Sequence, residues 1–358
     1  MLNSERSLLV TAARCALAGA IVLLGGLHGT AGELPVVTWQ GQTMGSVYTV
    51  KVVGEGLKDG EIEMAKQEVE AQLKEVNRQM SHYQPDSELS RFNGAPANVP
   101  FKVSSEFARV TRFSLEVFRR SGGAFEPTLG PVVNLWGFGE KTELRAVPAP
   151  EELRAALARI GAQHLSVTQK DELIKDLPGL ALNLSAVAKG FGVDEMVRVL
   201  RSHGWTNVYA SIAGEVRVLG HNPRGSNWVL GIAAPVAHWR ENDPMAAVVS
   251  LSNQALSTSG DYQKFFTDPS GKRLSHILDP RTGWPVQHQV GGVSVVAADS
   301  MTADALATTL FVLGPERGLE LLETWTNAAA LYVIRESEQS FRQIPSKRFA
   351  ELTGYRAE

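Results

Sequence analysis

Apolar side chains recur along this chain with two periods, and each period marks a different kind of element. Ile62, Ala65, Val69, Leu73, Val76 and Met80 fall three or four apart, which lines one face of a helix over 61–81. A second amphipathic helix is expected over 104–121, ending at Gly122-Gly123, and a short one capped by Asp86 or Ser87 runs toward Phe92. Residues 39–53 read instead as two strands around a Gly-containing turn. A helix over 150–160 precedes hairpin-like strands at 164–168 and 172–175. The run 181–194 is a strand passing into a helix that reaches about His203, with Ser185 as its N-cap and Val187, Phe191, Met196, Val197 and Leu200 buried. Further strands are expected within 207–219, on either side of Ile212-Ala213-Gly214-Glu215, and at 228–233 and 246–251. A buried strand at 291–298 leads to a helix over 301–313 capped by Asp299 or Ser300. Pro315 opens the last helix, to about Thr324, and strands at 328–335 and 341–345 close the chain.

This order predicts an α+β fold of mixed, largely antiparallel sheets packed with helices. The 358 residues would allow two domains on length alone, at roughly 150 residues each. The Pro- and charge-bearing stretch 141–150 is too short to separate them, so one unit over 33–355 is expected. A formal net charge of -3 excludes a general polyanion-binding surface, and with it a nucleic-acid partner. The single cysteine, Cys15, lies near the N-terminus, which leaves no thiol catalysis, iron–sulfur cluster or Cys-based zinc site in the body of the chain. Residues 1–31 read as a signal peptide: Arg6 and Arg14, an apolar run over 15–27, then Gly29-Thr30-Ala31. The run is shorter than the roughly 20 residues of a comfortable membrane span. Export to a bacterial periplasm is therefore expected, with inner-membrane association if the segment is retained. His238 falls on a charged loop and His82 carries no special signal.

Candidate chemistry concentrates in 257–286, STSGDYQKFFTDPSGKRLSHILDPRTGWPV. Thr258-Ser259-Gly260-Asp261 reads as a small-residue turn whose backbone N–H groups could approach an anion. Lys272 and Arg273 add positive charge, and His276 sits in the short strand signal Ser-His-Ile-Leu, which gives its ring a fixed direction. Asp279-Pro280-Arg281-Thr282-Gly283 closes the unit as a turn. Such a combination suits phosphate-ester or pyrophosphate chemistry. The strand entering a helix at 181–194 is a second natural anion site, with Lys189 on the helix beside it. Asp304 and Thr308 stand four apart on the 301–313 helix, so both oxygens face one side and suit a hard cation such as magnesium.

SGDYQKFF followed by SHILDPRTGWPV resembles the signature of the ApbE family of flavin transferases, and the likeness extends over roughly 39–349. Thr43-Met44-Gly45-Ser46, Ala124-Phe125-Glu126-Pro127-Thr128, Leu135-Trp136-Gly137-Phe138-Gly139, Ala188-Lys189-Gly190 and TADALATTLFVLG match other segments of that family. The resemblance implies that FAD lies against Met44, Tyr83, Ala124, Phe125 and Glu126, with an aromatic ring at Tyr83 facing the flat flavin. It implies cofactor contacts at Asn183, Lys189, Ser259, Asp261, Leu278 and Arg281. It implies Mg2+ at Asp304, Thr308 and the carbonyl of Ala186, with His276 as the acid–base group. This sequence departs from many relatives at Glu126 and Asn183, where they carry Asp, at Ala213, where Gly is common, and at Ala307, where some add an acid. The implied reaction is magnesium-dependent transfer of the FMN moiety of FAD to a Thr or Ser hydroxyl, with release of AMP. The implied acceptors are redox subunits at the inner membrane, of quinone reductases, electron-transport complexes or nitrous-oxide reduction. Hydrolysis of FAD to FMN and AMP, or flavin binding without turnover by a maturation protein, are the alternatives.

Overall fold

A computed structural model of the chain describes residues 21–23, 32–139, 146–237, 239–240, 243–337 and 340–356. Of the expected signal peptide only Ile21–Leu23 falls among them, and His238 lies outside them.

The N-terminal part begins with β1 (Ile21–Leu23), followed by a hairpin of β2 (Val36–Thr43) and β3 (Ser46–Val53). Met44 and Gly45 form its two-residue turn with φ of 49° and 70°, the positive pair that suits the twist of two antiparallel strands. In α1 (Asp59–Met80) all six positions picked out by the helical period are buried. Ser87 caps α2 (Glu88–Gly94) by accepting the Ser90 N–H at 2.9 Å. Then come β4 (Phe101–Lys102), α3 (Ser105–Arg120), α4 (Gly130–Leu135), α5 (Pro150–Leu157), β5 (Leu165–Val167) and β6 (Glu172–Lys175).

The C-terminal part carries α6 (Ala188–Ser202), β7 (Val208–Ile212), β8 (Glu215–Leu219), β9 (Trp228–Ala233), β10 (Met245–Leu251) and β11 (Gln254–Gly260). After these follow β12 (Phe265–Thr267), β13 (Arg273–Ser275), β14 (Val290–Ala297), α7 (Ser300–Leu322), β15 (Ala329–Arg335), β16 (Phe341–Pro345) and α8 (Phe349–Thr353). Asp299 is the cap of α7, accepting the Thr302 N–H at 2.8 Å. The two helices expected there are continuous except at Gly314, whose φ of 75° and ψ of 174° break the spiral before Pro315 restarts it.

Eight strands make one sheet in the order β16-β15-β14-β11-β8-β7-β3-β2. All its ladders are antiparallel. Helices α1 and α6 cover one end of one face and α7 the other end, giving two apolar clusters around Val50, Leu73 and Met196 and around Val295, Leu306 and Leu310. The opposite face is covered by the β1-β9-β10 sheet and α8, through Trp228, Leu230, Val249 and Phe349. Being covered on both sides, β7 and β14 are buried along their whole length.

Several expectations are corrected. Residues 181–184 form no strand beyond one bridge of Ala181 with Leu129, and the strand expected at Ser-His-Ile-Leu ends at Ser275, before His276. Thr258 to Gly260 is not a turn. It is the end of β11, paired with β14 as Thr258↔Ser294, Ser259↔Val293 and Gly260↔Gly292, so its backbone belongs to a ladder and cannot cradle an anion. Glycine stands at 260 because the ring of Tyr262 packs over it, within 2.3 Å of where a Cβ would stand. Nor does Ser185 cap α6: the cap position is Val187, and the Ser185 N–H donates to Asn183 Oδ1 at 3.0 Å.

Candidate active site

Strand β8 lies in the middle of the large sheet, yet it turns charged side chains toward the helices. Val216 and Val218 point into the apolar cluster on the far face, so Glu215 and Arg217 face α6 and α7. Arg217 meets Asp194 of α6 at 2.7 Å, and Asp194 in turn accepts the N–H groups of Ser300 and Met301 at 2.9 Å each. This carboxylate therefore fastens α6, β8 and the start of α7 together. Burial, opposed by Arg217 and assisted by Asp299, raises its pKa to about 6.

One turn earlier on α6, Lys189 reaches Glu215 in a short ion pair and lies 3.7 Å from Asp304 Oδ1. The neighbouring Gly190 makes this possible. A Cβ there would stand 2.2 Å from the Ser300 carbonyl oxygen and 2.8 Å from Asp304 Cβ, so only glycine lets α6 and α7 approach this closely. Its own N–H then donates to Asp304 Oδ2 at 2.9 Å. Burial pushes the Asp304 carboxyl up to about 7 against the pull of Lys189, with the Glu215 charge adding to the rise. For Lys189, burial is outweighed by Asp304 and Glu215, and its pKa is raised. One turn along α7, Thr308 Oγ1 lies 3.0 Å from Ser259 Oγ of β11. Ser257, on the same face of β11, is buried with no partner for its hydroxyl among the described residues. Among those residues no group of three or more His, Cys, Asp or Glu forms a metal cluster. The donors that do converge are all oxygen, two carboxylates with three hydroxyls, and such a set fits a hard cation.

His276 immediately follows β13. Its N–H and its ring Nδ1 both approach the Lys264 carbonyl oxygen, at 3.0 and 3.1 Å. A carbonyl only accepts, so Nδ1 carries a proton, and in the neutral form of the ring the basic nitrogen is Nε2. The next residue, Ile277, packs in one apolar cluster with Ala124 and with Ala303 and Ala307 of α7, which ties this hairpin to the helix bearing Asp304. Phe138 lies edge-on to the imidazole at 6.3 Å. Tyr83 is 58% exposed, and its ring rests on His82 at 3.9 Å. Burial, and then the charge of Lys264, lower the pKa of His82.

The structure thus gathers Lys189, Ser259, Asp304 and Thr308 at one junction, with Ala186 just before α6. Met44 packs apart from them, its Cε close to Gly192 of α6 beside Ile212 and Leu73. Other expected residues are engaged locally. Glu126 accepts from the Thr128 N–H and hydroxyl and from the Ala162 N–H, and its burial raises its pKa. Asp261 is gripped by Arg335 through two bonds of 2.7 and 2.8 Å. Arg281 pairs with Asp279 of its own turn at 2.6 Å, Leu278 is buried beside Trp136, and Phe125 is core. Glu215, Ser257, Asp194 and Lys264 are junction or support residues that sequence reasoning did not single out.

A profile of the ApbE family matches residues 44–332. The chain belongs to the ApbE family. It is 39% identical over 325 residues to the FAD:protein FMN transferase of Haemophilus influenzae, covering 90% of this chain and 92% of that one. To the enzyme of the same name from Vibrio cholerae it is 37% identical over 331 residues, covering 92% and 96%. Among solved structures, the flavin transferase ApbE from Vibrio cholerae superposes with a TM-score of 0.80 at 37% identity, covering 89% of this chain and 99% of that one. The apo flavinyl transferase ApbE from Pseudomonas stutzeri does so with a TM-score of 0.80 at 36% identity, covering 91% and 99%. The strand order and helix layers described above are thus an ApbE-family fold.

Proposed function

We propose that this chain is an FAD:protein FMN transferase, moving the FMN part of FAD to a serine or threonine hydroxyl of a partner protein and releasing AMP. Relatives alike over nearly the whole chain carry that name. The observation that carries the reading in this molecule is the pairing of His276 Nδ1 with the Lys264 carbonyl, which leaves Nε2 as the basic nitrogen.

In this reading the exposed ring of Tyr83 takes the flavin, with Met44 and the turn of Ala124, Phe125 and Glu126 alongside. Asn183, Ser259, Asp261, Leu278 and Arg281 frame the rest of the dinucleotide. Lys189 offers a positive charge to the pyrophosphate. Mg2+, held by Asp304, Thr308 and the Ala186 carbonyl, would neutralise charge that builds on the phosphates. His276 Nε2 takes the proton of the acceptor hydroxyl as its oxygen bonds to the phosphorus on the FMN side. The bond from that phosphorus to the bridging oxygen breaks, the electron pair leaves with AMP, and FMN stays attached by a phosphoester. A base with near-neutral pKa contributes roughly 10²- to 10⁴-fold to such a step. The same proposal includes export by residues 1–31 to the periplasm. It also includes acceptors among inner-membrane redox subunits of quinone reductases, electron-transport complexes or nitrous-oxide reduction.

The test is incubation of the full chain with FAD, candidate acceptors and Mg2+, read by flavin fluorescence of the denatured acceptor in a gel. Fluorescence that needs both Mg2+ and an acceptor hydroxyl is expected. AMP release without any labelled acceptor would instead make the chain an FAD hydrolase, and FAD bound but intact would make it a carrier.

A further inference from the structure

Three charges meet at the junction of α6, β8 and α7, and they are not evenly shared. The Lys189 ammonium is in hydrogen-bond contact with Glu215 but 3.7 Å from Asp304 Oδ1, beyond hydrogen-bond reach. Both carboxylates are buried, with side-chain exposures of 7% for Glu215 and 5% for Asp304. Glu215 is anchored on a central strand, and its second oxygen accepts the Gly214 N–H at 3.3 Å. Asp304 has one oxygen held by the Gly190 N–H, and its Oδ1 meets the ammonium only in the longer ion pair of 3.7 Å. Ser257 follows the last β11–β8 pair, Leu256 with Val216, and its buried hydroxyl has no partner among the described residues. An orphaned hydroxyl, and a carboxylate oxygen held only by the longer arm of a lysine already bonded to another acid, are the marks of a place kept open.

We propose that Glu215 is a positioning residue that holds the Lys189 ammonium off Asp304, so that Asp304 stays open to a divalent cation. The inference rests on the cation reading given above. Lys189 lies within ion-pair range of both acids and needs only a small swing to close on Asp304. A lysine there occupies the carboxylate that a metal would use. Two acids face one ammonium, so with both ionised, as a bound cation requires, the junction carries one negative charge in excess. Glu215 takes the ammonium because its strand fixes it within hydrogen-bond contact of Lys189. Its role is thus one of reach as well as charge.

The two roles separate in a double-mutant cycle read by Mg2+ titration calorimetry on the full chain, without FAD, so that turnover plays no part. Glu215→Gln is expected to weaken Mg2+ binding about tenfold, and Lys189→Met in that background to bring it back within about threefold of wild type, a coupling of the size seen for groups in contact. Lys189→Met alone is expected to tighten binding by less than about threefold. A field effect of bare charge predicts independent effects that simply multiply, and that result overturns the proposal. Glu215→Asp guards against a misfolded variant: it keeps the charge and shortens the reach. It is expected to weaken Mg2+ binding about threefold or more while the melting temperature stays near wild type. Wild-type affinity in Glu215→Asp also overturns the proposal. Absence of Mg2+ binding by the wild-type chain would overturn the cation reading and this inference together, whereas binding without coupling overturns this inference alone.

Discussion

The junction of Lys189, Glu215 and Asp304 and the hairpin of His276 are built in opposite ways. The first is assembled from a central strand and two helices that share ion pairs, so its two buried carboxylates are fixed by the core. The second sits on a short two-stranded hairpin between turns, with its charges paired nearby, as in Arg281 with Asp279. Fixed charge suits a small, highly charged ligand that must be held in one place. An imidazole on a surface hairpin, and a Tyr83 ring more than half exposed, suit a reaction partner as large as a folded protein. A transferase of this kind needs both, one side to hold the pyrophosphate and the other to admit a hydroxyl that arrives on another chain.

Substitutions on the two sides should separate binding from rate. The largest effect is expected for Asp304→Ala, which should lower transfer by roughly 10³-fold or more, abolish the Mg2+ response and lower the melting temperature as well. Metal titration followed by both activity and thermal unfolding checks it, and an unchanged Mg2+ titration removes Asp304 from the site. Next is His276→Ala, expected to lower transfer by about 10²- to 10⁴-fold while FAD binding and stability stay near wild type. If FAD affinity falls as far as the rate, the hairpin is a binding element and the contrast between the two regions fails.

A third contrast is in pH. The Asp194 pKa is raised, chiefly by burial, to about 6 from an ordinary carboxyl value, so its protonated form is the one favoured by folding. Its contribution to stability is therefore full below the unfolded pKa of about 3.9 and is lost as pH rises toward about 6, an upper bound of roughly 3 kcal/mol. Thermal unfolding of wild type and Asp194→Asn across this window should show that slope only in the wild type. Parallel curves would mean that Arg217 and the α7 N–H groups stabilise the carboxylate as well as water does.

The smallest effect concerns the turn that leads into Glu215. Ala213 sits at φ 61°, and the Gly214 N–H bonds back to the Ile212 carbonyl at 2.7 Å, a tight three-residue turn in a region that favours glycine. Ala213→Gly should raise stability by about 1 kcal/mol, measured by denaturant unfolding, with transfer little changed. A loss of stability would show that the alanine methyl packs better than the strain suggests.

Much of this was legible before any coordinates. The helical stripe from Ile62 to Met80, the four-residue spacing of Asp304 and Thr308, the restart at Pro315 and the density of special residues around His276 all have local causes, and local causes can be read from order alone. Glu215 could not be read in this way. Its strand, Glu-Val-Arg-Val-Leu, alternates charged with apolar as a half-exposed strand does, and only the packing of α6 and α7 over that face makes the acid buried. Thr258 to Gly260 misled for the converse reason: small polar residues suggest a turn, but pairing with β14 and the Tyr262 ring over Gly260 decide the matter. The short helix α8 was also missed, although Gly354 at φ 63° just past its end is a stop signal that could have been found.

The account turns on both regions serving one reaction, in which cleaving FAD and labelling a protein are the same event. Counting AMP released against flavin covalently bound to the acceptor, in one Mg2+-containing incubation, tests that most directly. The account predicts one AMP for each flavin attached, with both products lost in His276→Ala. AMP formed in large excess over attached flavin, or attachment without AMP, would contradict it.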